Sequence, residues 1–266
     1  MSATDIAQVE LVPVGATGWR TGLNNLVRKE IILWWTTKLW WIQTVIWLVM
    51  LNGVTTVIML DSRGMTADAL AHEAVQTFFL VGATSIPIGI VLTLQGSIVG
   101  ERELGTAAWV MSKPVSRVSF VLSKLMAHFT GFVATAVVIP SVVFLVTAKF
   151  LIPQPVELEG FAIGMAVMGL VLLFYVTLTL TLGCLFKGRG PVAGIGITLI
   201  LVGQFFKGML PLSLVMATPW LLGEAAASFP MQELPEFDRV VPLIAVGIEV
   251  LVLGFMAIWR FNREEF

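Results

Sequence analysis

Charge is what this chain has least of. Only 12% of its 266 residues are Asp, Glu, Lys or Arg, about half the share of a soluble domain. Cysteine is almost absent: Cys184 stands alone in an apolar run, which excludes an intrachain disulfide and argues against redox chemistry. Two histidines, His72 and His128, are too few to suggest a metal centre. No G-x-x-x-x-G-K-[ST] loop occurs, so the chain does not hydrolyse ATP by that route. No serine sits in G-x-S-x-G, and an intramembrane protease would have His128 as its one candidate base. Residues 1–18 have neither a basic start nor an apolar h-region, so no cleavable signal peptide is expected.

What remains is oil. The chain is 57% hydrophobic, with a mean hydropathy of +0.92. Several apolar runs reach about 20 residues, the length that crosses a bilayer core of about 30 Å. The chain therefore reads as an all-α polytopic membrane protein, one transmembrane domain over residues 1–266, rather than a soluble core.

In order, residues 1–18 form a loose tail. From Trp19 to about Thr37, apolar Trp19, Leu23, Leu26, Val27 and Trp34 recur at helical spacing, with Arg20, Asn24, Arg28 and Lys29 on the other side. That pattern suits an amphipathic helix lying in the membrane interface; the plainer alternative is a helix packed on its own protein. Spans are expected at about 39–60, 74–99, 118–148, 161–186, 190–209 and 240–259. Trp34, Trp35, Trp40 and Trp41 mark headgroup depth at the start of the first. Residues 210–239 hold a 14-residue apolar piece cut by Pro211 and Pro219, too short to cross, expected to be re-entrant or to lie at the outer surface.

Positive charge orients the bundle. Arg20, Arg28, Lys29, Lys38, Arg102, Lys113, Arg117, Lys124, Lys187, Arg189, Arg260 and Arg263 fall on one side, against Arg63, Lys149, Lys207 and Arg239. The positive-inside rule then places both termini in the cytoplasm, and a seventh span within 210–229 would put Arg260 and Arg263 outside. His72 and His128 lie on opposite sides in this topology.

The densest polar patch is the connector Gly100-Glu101-Arg102-Glu103-Leu104-Gly105-Thr106, running to Lys113-Pro114-Val115-Ser116-Arg117 and Ser123-Lys124. A compact helix there, at about 101–113, is something a docking partner could push. The bland alternative is a polar loop obeying the charge rule, but orientation needs only Lys and Arg, and this loop carries acids as well.

The connector resembles the E-x-E-x-G-T … P-x-S-R … K signature of type-2 ABC transporter permeases. Arg28-Lys29-Glu30 is similar to the R-K-E element of that family's elbow helix. The resemblance implies an elbow helix over 19–37, six spans, a coupling helix at about 101–113 and short outer helices within 210–239. It implies a permease subunit that forms the translocation pathway without being catalytic itself. It would pair with a second copy or a sister permease and with two separate ATPase subunits, in the plasma membrane of a bacterium or archaeon. ATP and Mg would belong to the ATPase; no cofactor and no nucleic acid is expected on this chain. Glu101, Glu103, Gly105 and Thr106 would be the contact and bend residues, with Arg102 and Arg117 in the same coupling motif. Glu224-Ala225-Ala226 echoes the importer motif E-A-A-x-x-x-G, but its glycine is missing and the segment lies outside, which favours export.

Glu249 stands apart, an acid near the middle of the sixth span. An unpaired carboxylate there costs about 2.5–3.5 kcal/mol. It belongs either to a translocation path or to a hydrogen bond with Thr177, Thr179 or Gln204. Two other classes compete with the permease reading: an ion- or proton-coupled secondary transporter centred on Glu249, and an assembly or sensor protein that binds without flux. Gly190 and Gly194 form a small-x-x-x-small pair that permits close helix approach.

Overall fold

The computed structural model describes residues 18–61, 64–232 and 235–264, and every regular element among them is helical. The expected tail before Gly18, Arg63 and the last two residues lie outside the described part. The order is α1 (Leu23–Thr36), α2 (Leu39–Leu60), α3 (Ala67–Glu103), α4 (Thr106–Met111), α5 (Arg117–Leu151), α6 (Leu158–Leu185), α7 (Arg189–Met209), α8 (Leu212–Val215), α9 (Leu222–Ser228) and α10 (Val240–Asn262). Six of these, α2, α3, α5, α6, α7 and α10, are long and apolar enough to cross a membrane.

Capping explains where the long helices start. α3 begins at Ala67, earlier than its apolar run, because the Thr66 hydroxyl accepts the Ala69 N–H at 3.2 Å and Asp68 sits in the positive first turn. Ser116 caps α5 by accepting the Ser119 N–H at 2.9 Å. The Glu157 carboxylate caps α6, accepting from Glu159 and Gly160. Within α2 and α5 the chain widens into π-helical turns at Leu48–Gly53 and Val133–Val138. The second lies just before Pro140, which has no N–H to donate.

α6 is the centre: 61% of its most apolar window is buried, against 17% for α10. Around it Phe78, Phe79, Phe144 and Phe161 interlock, with Phe144 stacked on Phe161 at 5.5 Å between ring centres. The outer faces of α7 and α10 leave Phe205, Leu251 and Phe255 exposed, as lipid-facing surfaces of spans do. Gly190 and Gly194 face open space, so among the described residues nothing makes the close approach they permit.

Among the described residues of 210–239, no helix is long enough to cross a membrane, and part of the segment packs into the bundle. α9 folds back between α3 and α6, where Ala225, Ala226 and Ala227 are buried. Glycines make this possible: a Cβ on Gly223 would lie 2.6 Å from that of Ala83. The side chain of Lys207 holds Glu224 at 2.6 Å where the segment enters.

Candidate functional site

The ends of α3, α6 and α10 and the starts of α5 and α7 meet at one end of the bundle, with α1 laid across it. The expected single helix over 101–113 is two pieces. α3 runs on to Glu103, and Gly105 then takes a left-handed φ of 69° with open space around its Cα, the conformation glycine adopts at little cost. α4 restarts at Thr106, whose hydroxyl donates to the Glu101 carbonyl at 3.1 Å. Ala107 and Val110 turn inward, while Leu104 and Trp109 are 77% and 65% exposed. The Lys113 ammonium lies 5.1 Å from the Trp109 ring centre.

Behind this surface is a set of buried charges. α1 buries one stripe, Leu26, Glu30 and Trp34, against α5. Glu30 is only 5% exposed. Its carboxylate accepts from Lys124 of α5 at 3.3 Å and from Lys29 at 3.2 Å. Glu101 accepts from the same two cations, at 2.8 Å from Lys124 and 3.4 Å from Lys29. Two carboxylates and two ammoniums thus alternate across α1, α3 and α5, which is what makes burying them tolerable. Burial alone would lower the Lys29 pKa, but Glu30 and Glu101 beside it outweigh that and hold it above its ordinary value. Below the cluster Trp34 packs edge-on to Phe132 at 5.1 Å and lies over Gly131, where any Cβ would meet the indole.

Two arginines tie the remaining helices. Arg102 pairs with Glu264 at 2.8 Å and donates to the carbonyls of Gly183, at 2.6 Å, and Phe186, at the end of α6. Arg117 donates to the carbonyls of Phe261 and Asn262, which close α10. Cations at the negative C-terminal ends of helices satisfy carbonyls that have no partner within the helix. Arg189 at the start of α7 reaches Glu103 at 3.0 Å.

The residues singled out from the sequence therefore divide. Glu101, Arg102 and Arg117 face inward as struts; Glu103, Gly105 and Thr106 lie on the exposed surface. Lys29 and Glu30 join Glu101, whereas Arg28 is exposed and is not part of the cluster. The sequence motif includes Leu104 and Lys124 without giving them a role, Arg189 enters only as an orienting charge, and Trp109 and Glu264 are not marked by it. An apolar period would have found the inward Ala107 and Val110, but nothing in the pattern marks Trp109 as outward.

Glu249 does not belong to this end. It lies midway along α10, and its Oε2 is buried without a hydrogen-bond partner. Thr177 and Thr179 donate instead to carbonyls of their own helix, both at 2.7 Å. No group of His, Cys, Asp and Glu among the described residues could hold a metal ion.

A family model described as ABC-2 family transporter protein matches residues 24–266. The chain is also 23% identical over 177 residues to the uncharacterized transmembrane protein YxlG of Bacillus subtilis (strain 168), a match covering 66% of this chain and 67% of that protein.

Proposed function

Because the chain belongs to the ABC-2 transporter family, and is thus a membrane subunit of an ABC transporter and not itself catalytic, we propose that it receives its power stroke through α4 from a separate ATPase. The observation that carries this is the exposed apolar pair Leu104, at the joint between α3 and α4, and Trp109 on α4, next to the end of α3 whose Glu101 and Arg102 are tied to other helices. An exposed tryptophan within a charged rim suits a partner's groove as an aromatic anchor. Glu103 and Lys113 give that patch a charged rim.

The braces turn a local push into a global one. Glu101 carries displacement to α1 and α5, Arg102 to α6 and the segment after α10, and Arg117 to the end of α10. In this reading the charged end is cytoplasmic, since most Lys and Arg gather there. The protein sits in a plasma membrane and works as a dimer with itself or a sister permease. It drives export, with ATP and Mg held by the two ATPase subunits. Glu249 would face the translocation path.

The test is ATPase stimulation in proteoliposomes containing the chain and its co-expressed ATP-binding-cassette subunit. Leu104→Ser with Trp109→Ala should abolish stimulation while the permease keeps its thermal midpoint. Full stimulation in that double variant would refute α4 as the contact.

A further inference from the structure

A cleft of about 380 Å3 opens beside the charge cluster, between α1, α3, α5 and the start of α7. We propose that it binds a phospholipid with a primary-ammonium headgroup, of the ethanolamine type, with the ammonium on Glu101 and the phosphate on Arg189. The proposal does not rest on the ATPase reading.

Position argues first for a lipid. The mouth of the cleft is apolar, with Leu33 and Leu39 each 51% exposed. Trp35 and Trp40 pack together beside it at 5.5 Å, the aromatic signature of headgroup depth. Acyl chains leaving the cleft past Leu33 and Leu39 would run along the exposed Ile42, Val45 and Ile46 of α2. A soluble partner would gain nothing from that surface.

The lining then chooses the headgroup. Gly96 and Gly100 keep one wall low, and the Arg189 side chain lies in the space their side chains would fill, 3.2 Å from a Cβ on Gly100. The guanidinium is 54% exposed and uses one nitrogen on Glu103, leaving N–H groups for a phosphate. Deeper in, Glu101 spends Oε1 on Lys124 and Lys29, while its Oε2 is buried without a partner. A buried carboxylate oxygen in that state is costly and is relieved by a donor. His128 lines the same cleft, its Nε2 on Ser97 at 3.0 Å and its Nδ1 unpartnered. The acids Glu30, Glu101 and Glu103 balance the cations Lys29, Lys124 and Arg189. No excess positive charge therefore selects an anionic lipid, whereas a zwitterion with N–H donors matches both halves. A choline headgroup carries the same charges but no N–H for Oε2.

The test is native mass spectrometry of the purified full chain titrated with dioleoyl phosphatidylethanolamine, phosphatidylcholine or phosphatidylglycerol. Phosphatidylethanolamine should bind roughly tenfold or more tightly than the other two, as one charge-assisted hydrogen bond allows. Glu101→Gln should bring it to the phosphatidylcholine level. Arg189→Gln, at a half-exposed site, should weaken phosphatidylethanolamine and phosphatidylcholine alike. Equal affinity of the unmodified protein for all three lipids, or a preference for phosphatidylglycerol, would overturn the assignment. If Glu101→Gln does not fold, unchanged phosphatidylethanolamine binding in Arg189→Gln overturns it on its own.

Discussion

Replacing Lys124 with methionine removes the buried member of the two cations that touch both Glu30 and Glu101. Its side chain is 3% exposed and that of Glu30 is 4% exposed, so neither charge would find water in the folded state. Lys29 is 45% exposed and remains beside both acids, but from outside the cluster. Losing one partner of a buried pair costs about 3–5 kcal/mol. On the scale of domains of this size, each kcal/mol moves the thermal midpoint by about 2–4 °C. The expected drop is therefore about 6–20 °C, read as loss of helical signal on heating the purified protein in detergent. Lys113→Met, at an exposed lysine, is the control and should shift the midpoint little. Lys124→Met with Glu30→Leu should recover most of the loss, because an apolar pair of similar volume needs no counter-charge. Should Lys124→Met melt like the control, the buried cluster would not be a structural brace between α1, α3 and α5.

Other consequences are independent of that cluster or touch it lightly. Asn52 is 6% exposed within the π-helical turn of α2, and neither side-chain atom of its amide has a hydrogen-bond partner. Asn52→Leu should raise stability by about 1–3 kcal/mol, seen as a higher melting midpoint; a lower one would mean that the amide holds a needed partner. Lys29 has a raised pKa in the folded state, so its stabilising charge is present below the unfolded value and lost as pH rises through the folded one. Lys29→Met should thus lower stability modestly at neutral pH and flatten its loss above about pH 10.5, the ordinary lysine value. An unaltered alkaline profile would contradict the ion pairs. Glu249→Gln should fold normally yet change transport in vesicles, and identical flux would remove Glu249 from the path.

The spans were legible because each is a single apolar run longer than a bilayer needs. Some of their starts were not, since Thr66 and Glu157 extend helices past the oil by capping them. The lack of a span in the stretch after Met209 was legible, because its 14-residue apolar piece, cut by Pro211 and Pro219, is too short to cross. The burial of Ala225 depends on Gly164 and Gly223, distant or unremarkable in sequence. At the charged end the motif located the right residues but not their directions. Arg28, Lys29 and Glu30 are consecutive on a helix, so only one of them can face α5. The helical period linking Leu26, Glu30 and Trp34 assigns that place to Glu30. Reading the charges as solvated hid that stripe. Glu101 was expected as a contact residue by family resemblance, and Arg102 only as part of the same motif. Partners 23 to 162 positions away in the chain drew them inward, and no local pattern encodes such distances.

The most direct measurement is site-specific photo-cross-linking from position 109 in membranes containing the co-expressed ATPase subunit. A cross-linkable residue at Trp109 should capture the ATPase, and one at Met231, near the opposite end, should not. Capture from Met231, or none from Trp109 in an ATP-hydrolysing complex, would contradict the assignment of α4 as the point where the chain receives its power stroke.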